Sequence, residues 1–472
     1  MGLSGAVSAT ALRSSAEVNV DRSTIHLTFF AIIAAYFLIW PIWRAQFPLE
    51  IWLTEGFNAY LQDAAASAAG HLYPEPGSLV GNNYPPLSFY AVAGLGRIFG
   101  DHLYVGRALS IVGLLCVSVE IFLCVRIMTG AAAAAAIGAL WYIAIMAHNS
   151  SVYVGANDPQ LAGEAIMGAA LVWFLARDRA GTSATAALLL MVIGGFWKHN
   201  MIGIPVTAVL WLLIRDGRRA LPNLLIAAVA VFAGFLLCGM LFGLNFVADL
   251  MAPRAYSLAG ISTNVGHLQW SAPALVIWAS WAIGDRDSKQ ARFTALLVSV
   301  GIASCLLQWI GQGVGGNAEF DLILALGIGT GVTFARIPSA RLARSIQAHF
   351  LRDLMVLILL LRLVVTDRQE TALVLLSPDF RSYFYSGQQA VLREVAAIKQ
   401  IPGDLFCSNK LVCRLAGKPF AVDDFKTEQL IATHRLTSDG LREALHQQSI
   451  TTFQDDPMTR ASPNSSFSGM WH

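Results

Sequence analysis

Charge is what this sequence has least of. Of its 472 residues only 13% are Asp, Glu, Lys or Arg, where a soluble domain carries about 25%, and this excludes a soluble enzyme. No charge of one sign dominates either: 32 basic against 30 acidic residues leave a formal net charge of +2. No global field therefore attracts nucleic acid or repels anions, and any electrostatic argument must be local. Cysteine is sparse and scattered. Of six, Cys116, Cys124, Cys238 and Cys305 lie in apolar runs, where the thiol serves as a small core group. The first 25 residues hold no apolar stretch followed by a small-residue cleavage site, so no removable signal peptide is expected and the first span is retained. Also missing are the Gly-x-Ser-x-Gly elbow, the His-Glu-x-x-His zinc motif and the Gly-Lys-Ser/Thr phosphate loop, which removes the familiar water-soluble catalytic sets.

What is present is apolar. Hydrophobic residues make up 56% of the chain, the mean hydropathy is +0.57, and many runs are long enough to cross a bilayer. Runs of about 15 to 22 residues predict roughly eleven transmembrane helices, near 26–43, 105–125, 131–148, 160–176, 183–197, 200–214, 222–243, 270–284, 293–310, 320–335 and 351–365. The stretch 85–100 is apolar but short and carries Arg97; it reads as a helix lying in the interface.

Basic residues orient the chain, because positive loops stay on the cytoplasmic side. With the N-terminus (1–25) inside, the cytoplasmic loops collect Arg126, Arg177, Arg179, Arg215, Arg218, Arg219, Arg286, Lys289, Arg292, Arg336, Arg341, Arg344 and Arg352. The opposite loops hold only Arg44, Arg97, Lys198 and Arg254, with Arg107 at a span entrance. Outside then lie a first loop (44–104), a short loop (149–159) and everything after about residue 366. Residues 366–454 have ordinary polarity and read as a small extracytoplasmic α/β domain, in which Cys407 and Cys413 form a disulfide or remain two free thiols. The Ser/Pro/Asn-rich stretch 455–472 reads as a disordered tail.

So few charges at the outer boundary single out those that remain, since an ionisable group near hydrocarbon costs several kcal/mol unless paired or hydrated. Glu55 precedes an amphipathic helical pattern and is either a helix cap or a general base at the membrane surface; Glu50 and Asp63 beside it read as solvated loop charges. Asp158 opens the fourth span, where Asp-Pro is also a helix-start signal. Glu164, deeper in that span, needs a partner. Lys198, in Trp197-Lys198-His199-Asn200, either snorkels to water or meets a bound phosphate.

The retained first span, the acid-Gly pair Glu55-Gly56, Gly70-x-x-Tyr73-Pro74, Asn83-Tyr84-Pro85-Pro86, Arg107-Ala108-Leu109-Ser110, Asn157-Asp158-Pro159-Gln160, Lys198-His199-Asn200 and Gly315-Gly316-Asn317 follow one another in an order that resembles the GT-C membrane glycosyltransferases. Within these it most resembles the bacterial branch related to protein O-mannosyltransferases and the lipid A aminoarabinose transferase ArnT (glycosyltransferase family 39 type). The likeness extends into the tail at Ile401-Pro402-Gly403, Cys413 and Ala416-Gly417-Lys418. It implies a GT-C-like membrane domain over 26–365 and transfer of a sugar from a polyprenyl-phosphate donor to a glycan, lipid or protein acceptor, with inversion, on the outer face. It also implies Glu55 and Asp158 as catalytic residues, and Lys198, His199, Tyr84, Arg97, Arg254 and Asn317 as substrate-binding residues. Relatives often carry Asp-Glu where this chain has Thr54-Glu55, which places Glu55 in the base role or alters activity. No cofactor is expected, and a divalent metal is left open. A transporter or lipid flippase, and a non-catalytic scaffold, are the competing classes; Glu120 and Glu164, acids at span depth, favour transport.

Overall fold

The computed structural model describes residues 22–337 apart from 69 and 76, and 348–461 apart from 454 and 455. Arg341, Arg344, the N-terminal segment up to residue 21 and the stretch 462–472 lie outside the described residues.

The apolar runs become helices: α1 (Arg22–Arg44), α2 (Thr54–Ala66), α3 (Leu87–Phe99), α4 (His102–Thr129), α5 (Ala132–Asn149), α6 (Gln160–Ala180), α7 (Thr185–Trp197), α8 (Gly203–Asp216), α9 (Leu221–Phe242), α10 (Leu244–Leu250), α11 (Ala259–Asn264), α12 (Ala272–Gly284), α13 (Lys289–Trp309), α14 (Phe320–Arg336) and α15 (Ala348–Val365). Each of the eleven predicted runs has a helix over it. Among the described residues, six helical segments are both long and apolar enough to cross a membrane by themselves. The short helix α3 covers the stretch assigned to the interface, with Ile98 and Phe99 about three-quarters exposed.

Helix α14 is the axis of the bundle, packed against α4, α5, α12 and α13 and buried from Phe320 to Phe334. In lipid no hydrophobic force draws apolar helices together, so close approach depends on small residues. Gly138 of α5 lies against Gly327 and Gly331 of α14, and a Cβ there would sit 2.5 Å from the Gly327 carbonyl oxygen. Glu120 is accommodated in a related way, over Gly168 of α6, where a Cβ would sit 2.0 Å from a Glu120 carboxylate oxygen. Helix α9 is peripheral: only Cys238 along it is buried.

The two ends of the bundle differ. At one, Asp178 binds Arg215 and, at 2.8 Å, Lys289, tying α6, α8 and α13 together. At the other, the C-terminal unit meets the loop before α2 at Glu50, the loop before α3 at Leu79, the loop before α4 at Asp101 and the loop before α14 at Gly313. That unit comprises α16 (Glu370–Leu376), α17 (Pro378–Gln400), β1 (Leu405–Cys407), α18 (Lys410–Leu415), α19 (Asp424–Ala432), α20 (Ser438–Gln447) and β2 (Thr451–Phe453). Its sheet is a single parallel pair, Leu405 opposite Thr451, and Cys407 and Cys413 form a disulfide.

Three expectations are corrected at this end. Residues 456–461, assigned by composition to a disordered tail, are packed: Thr459 and Ala461 are buried and bracket Glu50 through backbone hydrogen bonds. Glu50 is itself buried, 3.8 Å from Arg460. Asp63 is no free loop charge, since it accepts from Arg414 at 2.6 and 2.8 Å and contacts His102 at 2.6 Å. Composition reports polarity, whereas these residues are fixed by neighbours hundreds of positions away.

Asp423, at the seam between the C-terminal unit and the loop at Leu79, has its carboxyl pushed up to about 6, chiefly by burial, with Asp424 adding to the effect and Lys410 opposing it. Its unfolded value is about 3.9, so ionisation costs stability: the cost is absent below about pH 4 and complete above about pH 6. Asp423→Asn should therefore be more stable than the parent at pH 7.5, by about 2–3 kcal/mol, with the gap closing between pH 6 and 4. Thermal unfolding in detergent across that range checks it; a gap independent of pH would refute it.

Candidate functional site

Three residues of α2 carry the architecture of the site. Glu55, Asn58 and Gln62 are spaced three and four apart, which puts them on one helix face, and all three are buried. Together they grip Asn157. Its N–H donates to Glu55 Oε1 at 2.8 Å, its carbonyl accepts from Asn58 Nδ2 at 2.7 Å, and its amide pairs with that of Gln62 through two hydrogen bonds of 2.9 Å. Gly106 lies directly beneath, where a Cβ would stand 1.7 Å from Asn157 Oδ1. A residue held at backbone and side chain alike fixes the direction of the one that follows, Asp158.

Glu55 faces inward and is fully buried. Arg107 binds it through two N–H···O contacts, Nε to Oε1 at 2.8 Å and Nη2 to Oε2 at 2.7 Å, and the Ile51 N–H reaches Oε2 at 2.7 Å. The remaining Arg107 donors go to the carbonyls of Ala45, Phe47 and Leu49, so all five guanidinium N–H groups are used. Each Glu55 oxygen thus accepts two hydrogen bonds, so the residue expected as a helix cap or a general base is enclosed by protein donors. Arg44 is also consumed by structure, donating to the carbonyls of Ser151 and Val154.

Asp158 and Lys198 form the second buried pair. Asp158 Oδ1 accepts from Lys198 Nζ at 2.9 Å and from the Gln160 N–H at 2.8 Å, so it both opens α6 and pairs with a lysine, a pairing the sequence alone did not suggest. Lys198 does not snorkel; it is 1% exposed. Burial works against its ammonium charge, but Asp158 and Tyr84 outweigh it and set the pKa above the ordinary lysine value. The pairing thus favours the charged ammonium over the neutral amine. The ammonium lies 5.3 Å from the Tyr84 ring centroid, and Tyr84 lies 5.7 Å from the ring of His199. His199 is accessible, yet the surrounding protein desolvates it and the charges of Lys198 and Arg254 oppose protonation, which lowers it to about 4. It is neutral at physiological pH.

A narrow cleft beside Asp158 is lined by Gln62, Ser88, Phe89, Asn157, Asp158 and Trp197; Lys198 lies behind Asp158 and is not part of its lining. Asn317 joins it through α6, donating to Gln160 Oε1 at 3.4 Å, and Gln160 in turn donates to Glu164 at 3.2 Å, which supplies Glu164 with a partner. Arg254 donates to the Gln312 carbonyl at 3.0 and 3.2 Å and lies over Phe425. Arg97 is exposed and reaches the Ala66 carbonyl at 3.0 Å; its described contacts do not include the pair. Among the described residues, no three His, Cys, Asp or Glu side chains converge as a metal-binding group.

Sequence reasoning missed the roles of Arg107, Asn58, Gln62 and Asn157. The spacing of 55, 58 and 62 was visible as a polar stripe on one face of an amphipathic helix, but nothing local names Asn157 as what it grips.

No protein-family model and no curated protein matches this chain. Among solved structures it is similar to ArnT from Cupriavidus metallidurans in the apo state, with a TM-score of 0.56 and 15% identity over 88% of this chain and 89% of that one. It is similar also to the same protein bound to undecaprenyl phosphate, with a TM-score of 0.57 and 15% identity over 87% and 89%. The molecule is therefore a polytopic membrane protein of the GT-C fold, with a small C-terminal domain. The resemblance read from the scattered motifs is borne out at the level of fold.

Proposed function

We propose that the protein is an integral membrane glycosyltransferase that takes a sugar from a polyprenyl-phosphate donor and passes it, with inversion, to a lipid, polysaccharide or protein acceptor on the extracytoplasmic face. The observation that carries this reading is the buried Asp158–Lys198 pair, whose carboxylate member lines the cleft. A lysine ammonium has three donors, of which Asp158 takes one, so a phosphate can be bound without dissolving the pair. The binding of undecaprenyl phosphate by the structurally similar ArnT favours that ligand class.

In this reaction the acceptor oxygen attacks the anomeric carbon from the face opposite the phosphate. The C1–O bond to phosphate breaks, and its electron pair stays on the departing lipid phosphate, which Lys198 neutralises. The acceptor proton passes to Asp158. Tyr84, His199, Arg254 and Asn317 are proposed to border the sugar and phosphate, and Arg97 to act at the approach of the acceptor. Glu55 takes a different role from the one the resemblance implies: held by Arg107, it anchors Asn157 and so aims Asp158. The outward orientation is supported by the basic residues at the opposite end of the bundle and by the disulfide at this end.

Removing Lys198 should chiefly harm donor binding. Lys198→Ala in nanodiscs is expected to weaken undecaprenyl-phosphate binding about tenfold to a hundredfold, the worth of a charge-assisted hydrogen bond; an unchanged dissociation constant would remove Lys198 as the phosphate ligand. In cells lacking the protein, mass spectrometry should find an envelope glycan or glycolipid short of one sugar. Intact envelope glycans together with solute uptake by the reconstituted protein would select the transporter reading instead.

A further inference from the structure

Helix α2 has a second partner on the side away from Asn157. Gly56, next to Glu55, packs on α18 so closely that a Cβ would stand 2.4 Å from the Leu411 nitrogen and 2.6 Å from Lys410 Cβ. One and two turns on, Tyr60 stacks on Phe420 at 5.1 Å and donates to the Lys418 carbonyl at 2.9 Å, and Asp63 binds Arg414. The helix that grips Asn157 is thus clamped from behind.

The loop before α2 is held as well. Glu50 N–H donates to the Thr459 carbonyl at 3.1 Å, and Ala461 N–H donates to the Glu50 carbonyl at 2.9 Å, one rung of parallel pairing. On either side of this rung stand Phe47, Leu49 and Ile51, whose backbone groups complete the Arg107–Glu55 pair. Thr459 is fully buried. Its hydroxyl accepts from Asn409 Nδ2 at 3.0 Å and donates to the Asp456 carbonyl at 2.7 Å. Asn409, also fully buried, caps α18 by accepting from the N–H groups of Leu411 and Val412, and it lies within the ring closed by Cys407 and Cys413. One asparagine therefore joins the wedge behind α2 to the strap that holds the loop in front of it.

We propose that Asn409 and Thr459 are positioning residues for Asp158, setting the register of α2 and the Glu50 loop, which α2 hands on to the Asn157–Asp158 loop through Glu55, Asn58 and Gln62. The inference rests on the reading of Asp158 given above. It makes the C-terminal unit part of the reactive site's framework rather than an accessory that only selects the acceptor.

The test compares Thr459→Val, which removes the hydroxyl at nearly constant volume, with Thr459→Ser, which restores it, in the full chain in nanodiscs. Hydrogen exchange at the Ile51 and Asn157 amides reads the grip on Glu55 directly, whether or not the protein transfers sugar. Thr459→Val is expected to speed exchange at both amides about fivefold or more, as loss of one buried hydrogen bond allows. It should lower kcat and leave undecaprenyl-phosphate binding unchanged, while Thr459→Ser matches the parent throughout. Unchanged exchange at the two amides, with exchange in α18 accelerated, would overturn the proposal. Altered exchange in a parent without transfer activity would leave the positioning intact and refute the glycosyltransferase reading. Should the valine variant not fold, reducing the 407–413 disulfide in the folded parent must produce the same two-amide signature, and continued protection there is equally fatal.

Discussion

Asp158→Asn should lower the rate of sugar transfer by about 10²- to 10⁴-fold, the usual contribution of a positioned general base, with the fold intact. The asparagine keeps an oxygen to accept from the Gln160 N–H, which Asp158 does now at 2.8 Å, so the start of α6 survives. What is lost is the proposed proton acceptor and the charge that partners Lys198. The second loss makes a prediction of opposite sign: a buried ammonium deprived of its carboxylate seeks another anion. Undecaprenyl phosphate should therefore bind Asp158→Asn as tightly as the parent or more so. A variant that turns over slowly yet holds donor well is the expected result, and full turnover would exclude Asp158 as the base. If Glu55 were the base instead, Glu55→Gln would show that pattern. The structure leads to a different outcome for Glu55→Gln: its new NH₂ group faces donors, so stability and turnover fall together.

Arg107→Ala should be the most destabilising single change in the membrane-proximal layer. It leaves the Glu55 carboxylate buried without its counter-charge and strips donors from the carbonyls of Ala45, Phe47 and Leu49. Breaking a buried pair from one side costs about 3–5 kcal/mol, a large part of the total for a domain whose net stability is about 5–15 kcal/mol. The expected result is little folded protein, or a strongly lowered thermal midpoint in detergent. The double variant Arg107→Met with Glu55→Met, which removes both charges, should recover part of that loss. Additive effects of the two single changes would show that the pair is not coupled and would undo the account of the loop.

These two pairs show how far the chain could be read without its fold. The positions of α1, α4 to α9 and α12 to α15 were legible because a helix in lipid needs a continuous apolar run, and that run is a local property. The division of basic residues between the two ends was legible for the same reason. So was the need of Lys198, Asp158 and Glu164 for partners, since the cost of charge near hydrocarbon depends on depth alone. Lys198 and Asp158 do meet, though 40 positions apart. What the residues could not state was which carboxylate met which cation. Glu55 and Asp158 are both acids at the start of helices and look alike along the chain. One is enclosed by a guanidinium 52 positions away and by the Asn157 amide, and the other stands at a cleft.

Local pattern thus determined a polytopic helical bundle with two unlike ends and a short roster of charges worth explaining. Tertiary structure alone decided that Glu55 is enclosed by Arg107 and the Asn157 amide while Asp158 lines the cleft, and that the Thr459 carbonyl holds the Glu50 N–H. The reason is physical. Burial and helical period are set by neighbours within a few residues. The pairing of a polar group is set by which helix faces dock, and docking of α2 between the Asn157 loop and α18 depends on the absence of side chains at Gly56 and Gly106, a property that gains meaning only when the opposing surface is in place.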